Sequence, residues 1–204
     1  MKKALLEHYP ELQLCIGDAD TATDIICECY ARGGKLLICG NGGSMADAEH
    51  ISGELLKGFL EKREIRGEMR EKLIANNVDP DKLQGALAAI PLTSFPALKT
   101  AFENDCDGEY TFAQLTLALG RPGDVLLGIS TSGKANNVAQ AMRTARALGM
   151  KTIMLTGKKG EHQRGQYDCL IAAPASETYR VQEYHLPLYH YIAASIEKRI
   201  FGEK

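Results

Sequence analysis

A histidine and a glutamate, His50 and Glu54, have the types and the spacing that could carry out chemistry. Residues four apart in a helix lie on one face, one turn from each other. An imidazole and a carboxylate placed in this way can share a metal ion or can transfer protons side by side. The same spacing also occurs in ordinary surface ion pairs. Because the two residues follow a glycine-rich loop, we expect them to line a pocket.

Three polar residues nearer the carboxyl end of the chain are further candidates: Gln182, His185 and His190. They lie in residues 177–200, a segment typical of a helix that contains Pro187. Proline removes one backbone hydrogen bond and clashes with the preceding turn, so the helix is expected to begin near Pro187 or to bend there. Either histidine can serve as a base, and the residues alone do not choose between them.

The glycine-rich loop, residues 40–44, follows a continuously apolar run that is typical of a strand buried on both faces. Its glycines allow a sharp turn and a close approach of the backbone to a ligand. Ser44, with Asp47 three residues later, fits a helix N-cap. The loop is therefore expected to lead into a helix whose first amides face it, and such a helix start attracts phosphate.

A second polar loop contains Ser130, Thr131 and Ser132, and it also follows an apolar strand and precedes a helix. Hydroxyl groups and helix-start amides can together donate hydrogen bonds to phosphate oxygens. Two such loops at equivalent places in one parallel sheet indicate phosphate binding more strongly than either loop alone. Neither loop has the spacing of a Walker A motif or of GxGxxG, so no nucleotide cofactor is expected.

Short apolar strands alternate with helices along the chain, which predicts a parallel sheet covered on both faces. Apolar positions before residue 32 indicate one or two amphipathic helices, broken near Pro10 or Gly17. The charged run of residues 60–72 is interpreted as a solvated helix face or a mobile connection. The predicted strands cover residues 35–40, 123–130, 151–155 and 169–173, and another lies within residues 83–92, where the alanines also suit a helix.

The size and charge of the chain exclude several classes of protein. A chain of 204 residues suits a single domain, and a formal net charge of -2 gives no reason to expect a nucleic acid as partner. The six cysteines show no paired CxxC spacing, which indicates free thiols in a reducing compartment. No stretch has the apolar length of a signal peptide or a membrane span. We therefore expect a cytoplasmic protein without a membrane partner.

Three motifs in order, Gly40 to Ser44, Ser130 to Gly133, and Gln182 to His185 followed by His190, resemble the sugar isomerase (SIS) family. The resemblance covers the chain from about residue 35 onward. It implies a three-layer α/β/α fold of flavodoxin-like type with a five-stranded parallel sheet. It also implies one SIS domain over residues 1–204, with an N-terminal helical segment over about residues 1–32.

Within that family the motifs resemble the phosphoheptose isomerases. These enzymes interconvert sedoheptulose 7-phosphate and D-glycero-D-manno-heptose 7-phosphate by proton transfer through an enediol. The resemblance therefore implies an intramolecular oxidoreductase that acts on a phosphosugar. It further implies a homotetramer with active sites near the subunit interfaces.

The resemblance also implies roles for particular residues. Glu54 and His190 would exchange protons, and zinc, in the members that bind it, is held at positions matching His50, Glu54, Gln182 and His190. Gln182 and His190 are eight residues apart, about 12 Å along a regular helix, so both reach one ion only if the helix bends or the glutamine leans in. His185 is a rival for the base. The implied substrate-binding residues are Asn41, Gly42, Gly43, Ser44, Glu54, Ser130, Thr131, Ser132 and Gln182.

The chain also departs from the pattern of the phosphoheptose isomerases. It has Lys134 and Ala135 where they carry Asn-Ser, and it has Phe95 and Tyr179 near positions where they carry aspartates. These differences leave the sugar open. Two alternatives to an enzyme are a non-catalytic SIS protein that binds a protein partner, as the member associated with the bacterial replication initiator does, and a sensor of sugar phosphates. The histidines, glutamate and glutamine of the predicted site argue against a scaffold.

Overall fold

Five strands form a parallel sheet with helices on both faces in the computed structural model, which describes residues 1–202. The strands are β1 (Leu36–Gly40), β2 (Ala89–Pro91), β3 (Val125–Ser130), β4 (Lys151–Gly157) and β5 (Cys169–Ala173). The α-helices are α1 (Lys2–His8), α2 (Ile16–Ala31), α3 (Gly43–Leu56), α4 (Gly67–Ala75), α5 (Pro96–Asp105), α6 (Thr111–Leu119), α7 (Asn136–Ala147) and α8 (Thr178–Phe201).

The strand order is β2-β1-β3-β4-β5, and every neighbouring pair is parallel. The predicted fold, a five-stranded parallel sheet of flavodoxin-like type, is confirmed because this is the flavodoxin order 2-1-3-4-5. After β1 the chain adds β2 on one side of it, and it then adds β3, β4 and β5 in turn on the other side. Ligands of such sheets bind beyond the carboxyl ends of the strands where the order reverses. The two polar loops leave β1 and β3, so they lie at that place.

The sheet separates two apolar layers of the core. Because successive side chains of a strand point to opposite faces, Leu36 and Ile38 of β1 pack in one layer and Leu37 and Cys39 in the other. The first layer contains residues of α2, α3 and α8, and the second contains residues of α6 and α7. All five residues of β1 are buried, as its continuous apolar run predicts. The sheet thus provides a rigid base for α3 and α8, which carry the candidate residues.

Several local predictions need correction. The N-cap of α3 is Gly42, at φ +54°, where a residue with a Cβ would be strained, so the prediction of Ser44 as N-cap is wrong. The amino-terminal helices do break near Pro10, where a short 3-10 helix follows α1, but Gly17 lies inside α2. Helix α8 continues through Pro187, so a helix start at that proline is also wrong.

The charged run of residues 60–72 is only partly the solvated segment that the sequence predicts. Its second half enters the exposed helix α4. In its first half, however, Arg63 is 1% exposed and pairs with Glu197 of α8 at 2.7 Å. Among residues 1–202, no helix combines the length and the apolar character needed to cross a membrane.

Candidate active site

One face of α3 runs from the first polar loop to the predicted acid–base pair. Gly43, Asp47, His50 and Glu54 follow one another at intervals of four, three and four residues, which places them on one stripe of the helix. Helix α8 packs beside this stripe, so that its polar residues meet it at successive turns. The wall between the two helices is therefore polar from the loop to Glu54.

Three donor atoms converge at the far end of this wall. His50 Nε2 lies 3.1 Å from Glu54 Oε1 and 3.3 Å from His190 Nε2. The three residues are the group of ligand side chains that the described residues bring close enough to hold a metal ion. Glu54 and His190 are half-buried, and His50 is exposed. The structure thus brings together three of the four residues that the resemblance implies for zinc.

The environment of His190 favours its neutral form. Burial, with a further contribution from the neighbouring His50, holds the pKa of His190 below its ordinary value of 6.5, although Glu54 opposes the shift. The Phe59 ring, in the loop after α3, packs against the His190 ring with the centroids 5.4 Å apart. A neutral imidazole has a free lone pair, so His190 can accept a proton at neutral pH or can ligate a metal.

The donor set at this cluster fits a zinc ion. Zinc binds imidazole nitrogens and carboxylate oxygens at about 2.0–2.2 Å, which in a tetrahedral site places neighbouring donor atoms about 3.3–3.6 Å apart. The separations of His50 Nε2 from Glu54 Oε1 and from His190 Nε2 are 3.1 and 3.3 Å. Three protein ligands leave one position of a tetrahedral site, which a fourth protein residue, a substrate or a water molecule can fill.

Gln182 and His185 occupy other parts of the wall. The Gln182 amide lies against Gly43, since a Cβ built on that glycine would lie 2.1 Å from Gln182 Nε2. A side chain at position 43 would therefore displace the glutamine. His185 is fully buried, and its Nε2 lies 3.2 Å from the carbonyl oxygen of Thr156. The two candidates for the base thus differ, because only His190 reaches Glu54.

The first polar loop presents backbone groups. The Ser44 amide donates to the Asn41 carbonyl at 3.0 Å, and the Met45 amide donates to the Gly42 carbonyl at 3.0 Å. The Gly43 amide, the first of α3, has no acceptor inside the helix. Asn41, Gly42 and Gly43 are exposed, whereas Ser44 is buried. An anion can therefore approach the exposed backbone at Gly42 and Gly43, whereas the Ser44 side chain is buried.

The second polar loop presents hydroxyl groups beside the first. Ser130 is 6% exposed, and its Oγ lies 3.4 Å from the Ala135 amide, which donates to it. Thr131 and Ser132 are half-buried. The side-chain amides of Asn41 and Asn137 join the two loops by two reciprocal hydrogen bonds of 2.8 and 2.9 Å. The loops therefore form two sides of one cradle.

Two of the four positions that depart from the family pattern belong to the second polar loop, and the other two lie at helix starts. Lys134 is exposed in the second loop, and Ala135 is the N-cap of α7. Tyr179 is 63% exposed in the first turn of α8, and Phe95 is the N-cap of α5. None of the four carries a carboxylate into the cluster of His50, Glu54 and His190.

Three neighbours of the predicted site were not found from the sequence. Asn137 joins the two loops, Tyr189 places its hydroxyl 2.9 Å from His50 Nδ1, and Asp47 lies beside Tyr189. A signal existed for Asp47, which shares the helical stripe of His50 and Glu54. Tyr189 and Asn137 depend on how separate elements pack, so the spacing along the chain gave no sign of them.

The geometry can be compared with known proteins. Residues 13–72 and 86–157 match the family model for the SIS domain. The phosphoheptose isomerase of Roseiflexus sp. (strain RS-1) is 40% identical over 178 residues, which cover 87% of this chain and 80% of that protein. Phosphoheptose isomerase 1 of Campylobacter jejuni serotype O:2 is 37% identical over 201 residues, which cover 97% of each chain.

Solved structures give the same comparison in three dimensions. Phosphoheptose isomerase GmhA from Neisseria gonorrhoeae superposes with a TM-score of 0.71 at 31% identity, and the match covers 97% of this chain and 98% of that one. A phosphoheptose isomerase from Francisella tularensis superposes with a TM-score of 0.78 at 29% identity, covering 97% and 94% of the two chains.

Proposed function

Because the chain belongs to the SIS-domain family, and within it to the phosphoheptose isomerases, we propose that it isomerises sedoheptulose 7-phosphate to D-glycero-D-manno-heptose 7-phosphate. The single observation that carries this proposal is the wall of α3. It joins an anion-binding loop to an acid–base cluster on one helical face. The reaction needs both, since one end of the substrate carries a phosphate and at the other end a proton moves between two neighbouring carbons.

The two loops would hold the phosphate. The helix start at Gly43 and the hydroxyl groups of Thr131 and Ser132 provide hydrogen-bond donors, and the positive end of the helix dipole favours an anion. We assign substrate binding to Asn41, Gly42, Gly43, Ser44, Glu54, Ser130, Thr131, Ser132 and Gln182, in agreement with the family resemblance. Lys134, exposed in the same loop, adds a positive charge next to Ala135, the position where the family carries a hydroxyl.

The length of the wall suits a chain-like sugar phosphate. Gly43 and His50 are seven residues apart on α3, which corresponds to about 10 Å at 1.5 Å per residue. A phosphate alone cannot span that distance. A linear heptose phosphate bound at the loop extends its carbonyl end toward Glu54 and His190.

Proton transfer is assigned to Glu54 and His190. Isomerisation removes a proton from the carbon beside the carbonyl and returns one to the neighbouring carbon through an enediol. Two groups must therefore reach the reacting carbons and oxygens. The Glu54 carboxylate can take the proton from carbon, and the neutral His190 imidazole can move a proton between the two oxygens.

Zinc is proposed as the cofactor, held by His50, Glu54 and His190, with Gln182 as the fourth residue that the resemblance implies. When bound, such an ion polarises a carbonyl oxygen and stabilises negative charge on it. The support is the donor set and its spacing. The Gln182 amide, which lies against Gly43, is just over two turns of α8 from His190, so its part in metal binding depends on its long side chain.

The proposal extends to the setting of the enzyme. We take residues 1–204 as a single SIS domain with an N-terminal helical segment over about residues 1–32, and we take the assembly as a homotetramer, following the resemblance. We also propose a cytoplasmic location. Its support is that all six cysteines are free thiols, as a reducing compartment favours.

A direct assay tests the proposal. Sedoheptulose 7-phosphate is incubated with the protein, with and without added zinc, and aldose formation is followed. The wild type is expected to turn over, and Glu54→Gln to lose about 10²–10⁴-fold in kcat, since it removes the group that takes the proton. The matched control is Glu49→Gln, the same substitution on the same helix. No turnover by the wild type, or equal activity of Glu54→Gln and the wild type, would overturn the proposal of an isomerase. A protein-binding protein or a sugar-phosphate sensor would then remain as alternatives.

A further inference from the structure

The second polar loop is supported from the side that faces away from the first polar loop. Because the strand order is β1-β3-β4, this loop has the first polar loop on one side and the carboxyl end of β4 on the other. Ser130, the last residue of β3, lies beside Thr156 in the ladder between the two strands. A 3-10 helix, Lys158–Gln163, follows β4 directly. No part of the proposed reaction uses β4 or this 3-10 helix.

Two carbonyl groups of the second polar loop accept hydrogen bonds from the end of β4. The Thr156 hydroxyl donates to the Ser130 carbonyl at 2.6 Å, and the Gly157 amide donates to the Thr131 carbonyl at 3.0 Å. Thr156 is fully buried, and Ser130 is 6% exposed. Both carbonyl oxygens therefore face β4 and point away from the first polar loop.

A third carbonyl of the loop, that of Gly133, is held by the 3-10 helix. The side-chain amide of Gln163 donates to it at 2.9 Å. Gly133 has φ +70°, and a Cβ built on it would lie 2.8 Å from Gly160 Cα. The loop and the 3-10 helix are thus in direct backbone contact, and Gln163 reaches the loop from a fixed position.

Thr156 is itself fixed by two neighbours. The Nε2 of the buried His185, on α8, lies 3.2 Å from the Thr156 carbonyl, which can only accept, so the imidazole donates to it. Gly160 packs so closely on the Thr156 hydroxyl that a Cβ at position 160 would clash with it. The hydroxyl is therefore held in its contact with Ser130.

The opposite side of the loop has donors available. The Thr131 and Ser132 amides make no backbone hydrogen bond within residues 1–202. Successive amides of this kind form a concave site for an anion, whereas carbonyl oxygens can only accept and repel it. The loop can hold a phosphate only while its carbonyls face away from the cradle.

We propose that Thr156 is a positioning residue for phosphate binding: together with Gln163 it holds the carbonyls of the second polar loop toward β4 and leaves the amides and hydroxyls to the phosphate. This inference rests on the proposed function, since it takes the second polar loop as part of the phosphate site. Neither Thr156 nor Gln163 contacts the substrate in this assignment.

The first experiment compares two buried threonines of β4. Thr156→Val replaces the hydroxyl by a methyl group, which cannot donate and cannot approach the Ser130 carbonyl to 2.6 Å. Thr152→Val is the matched control, because the Thr152 hydroxyl is equally buried but donates to Asp168 at the other end of the strand. Thr156→Ser keeps the hydroxyl and tests rescue.

Two quantities are measured for each protein. One is KM and kcat for sedoheptulose 7-phosphate. The other is the dissociation constant of inorganic phosphate at constant ionic strength, followed by the Thr131 and Ser132 amide signals in ¹H–¹⁵N spectra. The loss of one hydrogen bond that supports the bound state corresponds to about a two- to tenfold loss of affinity. Thr156→Val is expected to raise KM and the phosphate dissociation constant by that factor with kcat unchanged, whereas Thr152→Val and Thr156→Ser match the wild type.

A second pair of variants avoids the buried strand. Gln163→Met removes the donor to the Gly133 carbonyl, and Gln166→Met makes the same change at an exposed position three residues later. Gln163→Met is expected to weaken phosphate binding in the same direction as Thr156→Val, and Gln166→Met to leave it unchanged. This pair decides the question if Thr156→Val does not fold.

The outcomes separate this inference from the proposed function. Absence of turnover, together with the expected order of phosphate affinities, overturns the isomerase and leaves the positioning role. Turnover by the wild type, together with equal phosphate affinities within both pairs of variants, overturns the positioning role and leaves the isomerase. A wild type whose Thr131 and Ser132 signals do not respond to phosphate, or a Thr156→Val that loses kcat at an unchanged KM, also overturns the positioning role.

Discussion

Two charged clusters join α3 to α8, and they are built in opposite ways. At the first, Arg63 and Glu197 are buried and fully paired. The Arg63 guanidinium donates to a Glu197 oxygen at 2.7 Å and to the Leu55 and Glu54 carbonyls at 2.7 and 2.9 Å. Glu197 also accepts from backbone amides of the loop after α3, those of Phe59, Leu60 and Glu61.

The second cluster contains His50, Glu54 and His190, which have no buried counter-ion of the kind that Arg63 provides for Glu197 among residues 1–202. Its three ligand atoms approach one another, and two of them are ring nitrogens that can present lone pairs. This difference in pairing separates structural charges from functional ones. Arg63 and Glu197 satisfy each other and fix the end of α3, whereas we propose that a metal ion or a substrate completes the second cluster.

The largest expected effect that separates the two clusters comes from His190. His190→Gln removes a group that we assign to proton transfer and metal binding, and it is expected to lower kcat/KM by about 10²–10⁴-fold. The free energy of unfolding of the metal-free protein is expected to change little, since His190 is half-buried and its ring nitrogen contacts the exposed His50. Steady-state kinetics and urea unfolding measure the two quantities.

The exposed His162 provides the control for this prediction. His162→Gln makes the same chemical change outside the proposed active site and is expected to leave both activity and stability unchanged. If His190→Gln loses stability in proportion to activity, the contrast between the clusters fails, because the second would then be structural too.

The second-largest expected effect is a loss of stability, and it comes from a substitution in the first cluster. Arg63→Ala leaves Glu197 buried without its cation, and breaking a buried pair on one side costs about 3–5 kcal/mol of unfolding free energy. Replacing both residues by methionine is expected to cost less than the single change, since no buried charge is then left unpaired. Arg66→Ala, in the same charged run but exposed, is the control and should unfold as the wild type.

Equal unfolding midpoints for Arg63→Ala and Arg66→Ala would contradict this account of the first cluster. If Arg63→Ala loses more activity than folded protein, the first cluster also supports the geometry of the second. Arg63 holds the Glu54 carbonyl and the loop that carries Phe59, so its removal also loosens the support of the second cluster.

The sequence alone predicts the second cluster far better than the first. His50 and Glu54 are visible because a fixed helical spacing puts two chemically active side chains on one face, and both polar loops are visible because they follow apolar strands. The parallel sheet follows from the same alternation of strands and helices. These signals are local, and the periods of helices and strands make them readable.

Arg63 shows why the rest could not be predicted. It lies in a run of charges that, by composition, is typical of a solvated segment, and its partner Glu197 is 134 residues away in the chain. Only the packing of α8 against the end of α3 shows that this one charge is buried. The choice between His185 and His190 depends on the same packing, which turns one histidine to the Thr156 carbonyl and brings the other into the group with His50 and Glu54.

The pH dependence of stability offers a smaller test of the first cluster. Burial by itself would raise the pKa of Glu197, but the Phe59 and Leu60 amides and the Arg63 guanidinium hold it below its ordinary value of 4.5. A carboxyl group whose pKa is lower in the folded state stabilises the fold above about pH 4.5, and this contribution disappears as the pH falls through the folded-state pKa.

Urea unfolding of the wild type and Glu197→Gln between about pH 6 and about pH 3 measures this contribution. The difference in unfolding free energy between the two proteins is expected to be constant above about pH 4.5 and to narrow below it. Other carboxylates, such as Asp20 and Asp168, are present in both proteins, so their titration cancels in the difference. A difference that widens as the pH falls would show that Glu197 is not stabilised as a carboxylate.

The smallest expected effect concerns the amide pair that links the two loops. Its hydrogen bonds are made within the protein, as in the first cluster, but it belongs to the proposed substrate site, as the second cluster does. Asn137→Ala removes both hydrogen bonds to Asn41. Because this amide pair is exposed, water can replace part of it, so we expect a net loss of about 0.5–1.5 kcal/mol for the pair, which corresponds to a rise of about twofold to tenfold in KM as the loops hold the phosphate less firmly. The value of kcat should stay the same, since Glu54 and His190 are untouched. Asn136→Ala, at the neighbouring position, is the control; if it raises KM as much as Asn137→Ala, the amide pair does not align the cradle.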